Sequence, residues 1–271
     1  MENNFDITNK VCVISGGSGV LGGTIAAYLL KQHAKVVILG SNKDRIEAKL
    51  ESLLQISSLA MGFVCDVLDK EKVEKTRDKI LEKWGRIDVL LNIAGGNLEG
   101  ATIGENQTIF DLEMDDFDKV TKLNLNGTVI PSIVFGKVMA NQKEGVIINY
   151  SSMAAQRTIT RVAGYSASKA AMENFTRWMS VEMATKFGDG IRVNALAPGF
   201  FVGNQNKRLL LNNDGSYTNR GKTIIKNTPM ARFGKAEELN GAVHFLCSNA
   251  SKFVTGVVIP VDGGFNAFSG V

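Results

Sequence analysis

The sequence predicts an α/β fold, a doubly wound parallel sheet with helices on both faces, formed by a single domain over residues 1–271. Three observations carry that prediction. Short β-branched apolar runs alternate with helical stretches along the whole chain, the pattern of repeated strand–helix–strand units. Most of the runs are continuously apolar, as strands buried on both faces are. A glycine-rich turn, Ser15 to Gly23, follows the first run directly and opens the first helical stretch.

In chain order, strands are expected over 11–14, 36–39, 61–65, 89–91, 146–149, 191–196 and 257–261. Helices are expected over 21–31, 45–54, 73–84, 117–138, 165–187 and 236–246. Right-handed crossovers between such units give the doubly wound arrangement, which binds ligands at the carboxyl ends of its strands. Two polar stretches interrupt the rhythm, 95–107 after the fourth strand and 203–233 after the sixth. Excursions of that length inside a compact domain are usually lids or binding segments, and 203–233 is expected to be a substrate lid.

Composition narrows the function classes. A hydrophobic fraction of 44% and a charged fraction of 21% fit a globular protein. The formal charge is +4, but Lys and Arg are scattered, which argues against a nucleic-acid surface and leaves an anionic small molecule open. Cys12, Cys65 and Cys247 lie far apart in apolar contexts and read as small hydrophobes. His33 and His244 have no ligand types at metal spacing, so no metal site is expected. The first ten residues lack the apolar core of a signal peptide, and no uncharged apolar run is long enough to cross a bilayer. A soluble, cytoplasmic protein is the expectation.

Gly17, Gly19 and Gly22 satisfy the GxGxxG spacing at the first strand–helix junction. Such a turn lets backbone N–H groups and the helix dipole approach a pyrophosphate, and it points to a Rossmann-type cofactor site. Gly16, Ser18, Val20 and Leu21 are its candidate contacts. At the end of the second strand, where an acid would hold a ribose 2′-hydroxyl, stands Gly40, followed by Ser41, Asn42 and Lys43. A neutral-to-basic pocket there admits NADP(H) or NAD(H) and leans towards NADP(H). Ser41 and Asp44 also have the spacing of a helix capping box. Asp66, with Val67 beside it, is placed to meet the adenine, and Asn92, Ala94 and Gly95 end the fourth strand beside the cofactor cleft.

Tyr165 and Lys169 are four residues apart, on one face of a helix. A free phenol, with a pKa of about 10, is a poor proton-transfer group near neutrality, and a nearby ammonium favours its ionised form. Ser152 precedes Tyr165 by thirteen residues at the end of the fifth strand, and Asn124 lies in a long helical stretch.

With the glycine turn, this Ser–Tyr–Lys spacing resembles the short-chain dehydrogenase/reductase family over essentially the whole chain. The resemblance implies that Tyr165 exchanges the proton at the substrate oxygen and Ser152 hydrogen-bonds that oxygen. Lys169 would hold the nicotinamide ribose and tune the tyrosine, and Asn124 would position a water in a proton relay. Pro198 and Gly199 resemble the segment lining the nicotinamide pocket, and Val261 to Gly264 the closing motif. Ser15 stands where that family usually has Thr, Val20 replaces the middle glycine of its motif, and the basic residue of many NADP-dependent members is absent at Gly19.

Outside the catalytic core, Ala94 to Asn97, Pro198 to Phe201, Arg220 to Thr223, Thr228 to Met230 and the ending from Phe265 resemble the D-mannonate oxidoreductase (fructuronate reductase) branch. That resemblance implies interconversion of D-fructuronate and D-mannonate. Gly203, where relatives often carry Thr, is a departure. Arg157 and Arg161, between Ser152 and Tyr165, are candidates to pair with a substrate carboxylate, and Asn97 and Gln205 to meet its hydroxyls. Another keto-aldonate such as 5-keto-gluconate, a 3-oxoacyl thioester, or a cofactor-sensing role without turnover are the alternatives. The small partner expected is a sugar acid, without nucleic acid or membrane, and the family implies a homotetramer or homodimer.

Overall fold

The computed structural model describes residues 3–203 and 206–270. Seven strands form one sheet: β1 (Val11–Ser15), β2 (Lys35–Gly40), β3 (Ala60–Val64), β4 (Val89–Asn92), β5 (Gly145–Tyr150), β6 (Ile191–Pro198) and β7 (Val258–Val261). Their order is β3-β2-β1-β4-β5-β6-β7, and every neighbouring pair is parallel. Each expected strand is present within two residues of its predicted ends.

The continuous apolar runs are explained by burial on two sides. Cys12 and Ile14 of β1 join one core cluster while Val11 and Val13 join another. The first cluster takes α1 (Val20–Lys31) and α2 (Lys43–Leu54), and the second takes α3 (Lys70–Trp84). Asn42, not Ser41, caps α2: its Oδ1 accepts from the Arg45 N–H at 2.9 Å. Asp69 caps α3 in the same way, accepting from Lys72 N, and Gly85 closes it in the left-handed region at φ 71°.

The helix expected over 117–138 is three elements. After α4 (Met114–Thr121) comes a π-helical turn (Lys122–Asn126), and then α5 (Gly127–Gln142). Pro131 lies inside α5 and has no N–H to return to the turn before it. α6 (Ala163–Phe187) packs with α5 on the second face of the sheet.

The 203–233 stretch is not structureless. Its described part contains α7 (Lys207–Leu210) and α8 (Asn219–Lys226), bound together by Thr218, whose N–H donates to Leu210 O and whose hydroxyl donates to Leu209 O. The apolar spacing that marks longer helices is too short to read in elements of four and eight residues. The chain closes through α9 (Asn240–Cys247), which completes the first core cluster, and β7. No helix among the described residues is long and apolar enough to cross a membrane, and no described cluster could hold a metal ion.

Candidate active site

The strand order reverses between β1 and β4, and there the two crossovers leave in opposite directions. A cleft of about 780 Å³ opens at that end of the sheet, running from the start of α2 to the head of α6. Gly16, Ser18, Val20 and Leu21 form its floor beside α1.

The local reasons for this floor are specific. Gly16 has φ +67°, and a Cβ there would sit 2.9 Å from the Ala94 nitrogen, so only glycine lets the turn lie against the end of β4. Ser15 supplies the matching contact, its Oγ accepting from Ile93 N and Ala94 N at 3.1 Å. The head of α1 has no side-chain cap and no acid in its first turn. Its unpaired N–H groups and positive dipole end therefore face the cleft, a fit for a pyrophosphate.

At one end of the cleft, Gly40, Ser41 and Asn42 are joined by two side chains that the sequence reading did not single out, Arg45 and Lys49. They lie one turn apart on α2, a spacing visible in the sequence, but only the packing of α2 beside β2 turns them towards the cleft. Asp66 and Val67 line the same end, and Asp66 spends one oxygen on Leu68 N.

At the other end lie Ala94, Gly95, Ser152, Tyr165, Lys169, Pro198 and Gly199. The Lys169 ammonium is buried, donates to the Tyr150 carbonyl at 2.6 Å and sits 5.7 Å from the Tyr165 ring centroid. Burial lowers its pKa to about 8. Loss of solvent raises the half-buried Tyr165 phenol, and a hydrogen bond with Ser152 acts against that rise. Asn124, fully buried in the π-helical turn, holds the backbone of Gly96 at both ends: its Oδ1 accepts from Gly96 N at 3.0 Å and its Nδ2 donates to Gly96 O at 2.8 Å. A Cβ on Gly95, φ +152°, would collide with that Oδ1 at 2.7 Å and stand 3.4 Å from Lys169 Nζ. This arrangement can hold an oxygen between a phenol and a hydroxyl, with a cation behind the phenol.

Other candidates lie outside the lining. Asn92 is buried, its amide donating to Ser132 and Asn149, so it ties β4 to β5 and α5. Asn97 donates to Thr102, and its Oδ1 is buried without a partner. Arg157 donates to the carbonyls of Asn266 and Phe268, so its side chain anchors the C-terminal segment. Arg161 reaches Ile103 O at 2.6 Å and Glu105 at 3.7 Å. Gln205 lies outside the described residues.

Residues 18–266 match the family profile described as enoyl-(acyl carrier protein) reductase. The chain belongs to the short-chain dehydrogenase/reductase family. It is 42% identical, over 98% of each chain, to an uncharacterized oxidoreductase, UxuB, of Bacillus subtilis (strain 168). A crystal structure of a proposed D-mannonate oxidoreductase from Haemophilus influenza with bound NAD superimposes with a TM-score of 0.91 at 40% identity, covering 98% of each chain. A 2-dehydro-3-deoxy-D-gluconate 5-dehydrogenase of Formosa agariphila is 32% identical, over 98% of this chain and 96% of its own. As a family member, the chain is an NAD(P)-dependent oxidoreductase acting on a small molecule, and the uncapped head of α1 and the glycine floor fit that cofactor.

Proposed function

We propose that this short-chain oxidoreductase reduces the keto group of a sugar acid, D-fructuronate to D-mannonate, in the cytoplasm, as a homotetramer or homodimer. The observation that carries the reading is similarity over nearly the full chain, inserts included, to the Haemophilus protein. The inserts flank the open end of the cleft and so govern substrate choice more than Tyr165 and Lys169 do.

The bound nicotinamide supplies the hydride. Tyr165 gives its phenolic proton to the carbonyl oxygen as that oxygen gains charge, and Ser152 donates a hydrogen bond to the same atom. Lys169 stabilises the phenolate left behind, and its ammonium would hold the nicotinamide ribose. Asn124 fixes the Gly95–Gly96 backbone, which with Pro198 and Gly199 would hold the nicotinamide end of the cofactor. Asn97, with its unpartnered oxygen, and Gln205 serve substrate hydroxyls, and the 203–233 insert is the lid.

NADPH is accepted at least as well as NADH in this reading. Its support is the missing acid at Gly40 together with Arg45 and Lys49 at the same end of the cleft. The test is initial-rate measurement on the purified enzyme with D-fructuronate, 5-keto-gluconate and a 3-oxoacyl thioester, each with NADPH and NADH, identifying the product. Mannonate as the main product is expected. An enzyme that ignores fructuronate with both cofactors, yet reduces one of the others efficiently, overturns the substrate. A strong preference for NADH overturns the cofactor reading.

A further inference from the structure

Two arginines come to the same stretch of chain beside the catalytic segment: Arg161 lies on it, and Arg220 reaches the carbonyl of Thr160, the residue before it. Arg161 lies four residues before Tyr165, on the stretch that leads into α6. Its backbone sits at φ +75°, a conformation that a non-glycine residue adopts only where surrounding contacts impose it. The imposing contacts are reciprocal: Ile103 N donates to Arg161 O at 3.0 Å, and Arg161 Nε donates to Ile103 O at 2.6 Å. The side chain is thereby pinned through Nε, while its terminal nitrogens carry no hydrogen bond among the described residues and Nη1 is 3.7 Å from the carboxylate of the exposed Glu105.

Arg220 comes from the first turn of α8, in the insert that leaves the cleft at Gly203. Its one side-chain hydrogen bond among the described residues is a long one, Nη2 donating to Thr160 O at 3.5 Å, and it takes part in no ion pair among them. Burial, and after it the nearby Arg161 charge, lowers its pKa. Like charges held together at this partly desolvated place cost free energy unless an anion joins them. The oxygens of a carboxylate, like those of a phosphate, match guanidinium forks, and the sugar-acid reading makes the anion a carboxylate.

We propose that Arg161 and Arg220 form a clamp for the substrate's carboxylate, so that the acid end of the substrate draws the lid onto the segment carrying Tyr165. The clamp rests on the sugar-acid reading above. It fixes the molecule by its charged end and so selects which face of the ketone is presented. Arg157, whose donors serve the C-terminal segment, has no part in it.

The experiment is calorimetric titration of the NADPH-saturated enzyme with D-mannonate, D-gluconate and D-mannonamide, in wild type, R220Q and R220K. Mannonate should bind wild type well above its amide. R220Q should lose roughly 10- to 100-fold in mannonate affinity with the affinity for the amide unchanged, and R220K should fall between. Thermal melts of each variant show that the lid still folds. Equal mannonate affinity in wild type and R220Q, an equal loss for acid and amide, or no binding of either acid to wild type overturns the clamp. An enzyme that does not reduce fructuronate but binds gluconate in an Arg220-dependent way loses the proposed substrate and keeps the clamp.

Discussion

Tyr165 and Lys169 are shaped by opposite consequences of the same burial. Desolvation disfavours whichever form is charged, so the phenol is raised and the ammonium is lowered to about 8. Ketone reduction uses the protonated phenol, so its kcat/KM should be level through neutral pH and fall on the alkaline side, while alcohol oxidation should climb with pH. Tyr165→Phe removes the transferable proton and should cost about 10²–10⁴-fold in turnover with cofactor affinity little changed. A variant retaining near wild-type turnover and the same pH limbs would assign the proton to another group. For Lys169 the sign is that of a depressed base. Between pH 8 and 10.5 the unfolded chain holds more protons than the folded one, so this residue's contribution to stability rises with pH across that window. At neutral pH its burial costs on the order of 3 kcal/mol, so Lys169→Met should be inactive yet melt no lower than wild type at pH 7. A large drop in Tm would mean that the bond to Tyr150 O outweighs desolvation.

Single elements are held to the site by buried polar groups as much as by apolar packing. The π-helical turn is one case: such turns are frequent at functional sites, and here it delivers Asn124 to both backbone groups of Gly96. The end of α9 is another. Arg192 of β6 is buried, and its guanidinium donates to Ser251 Oγ and to the carbonyls of Leu246 and Ser248. Lys10 adds a bond to Cys247 O at 3.2 Å. Two cations thus stand at the negative end of the α9 dipole and satisfy carbonyls that the helix leaves open. Arg192→Met should cost about 2 kcal/mol and lower Tm by several degrees, with the KM values unchanged because α9 packs on the face away from Tyr165. An unaltered melting curve would show that solvent replaces those bonds freely.

At the scale of the whole molecule, exposed apolar residues also occur on α5 and α6, away from the lining of the catalytic cleft. Ile133 on α5 and Trp178 and Val181 on α6 are all more than half exposed, on two helices that pack side by side. Isolated exposed apolar residues are ordinary, whereas apolar residues gathered on one face are candidates for an association surface. If the homo-oligomer forms through it, Trp178→Glu should shift the molar mass by light scattering towards the monomer, because a charge would be buried unpaired in the contact. An unchanged mass would move the interface to another face.

Local pattern was enough for much of this protein. The strands could be read because apolar runs buried on both faces leave no alternation to confuse, and the glycine turn because Gly16 permits what no side chain would. Tyr165, Lys169 and Ser152 were legible from spacing, since helix pitch and the exit of β5 place them. Arg45 and Lys49 have helical spacing too, yet nothing local says which way α2 faces. Arg157 and Arg161 looked equivalent in sequence; tertiary contacts gave one to the C-terminal segment and tied the other to Ile103, next to the carbonyl that Arg220 reaches from some sixty residues on. Asn92 reads in sequence as a cofactor contact, and the sheet turns its amide nitrogen towards Ser132 and Asn149. Periodicity and backbone sterics are properties of neighbouring residues, so the sequence alone determined them. Which donors remain free for a ligand depends on partners brought from afar, and only the tertiary structure decided that.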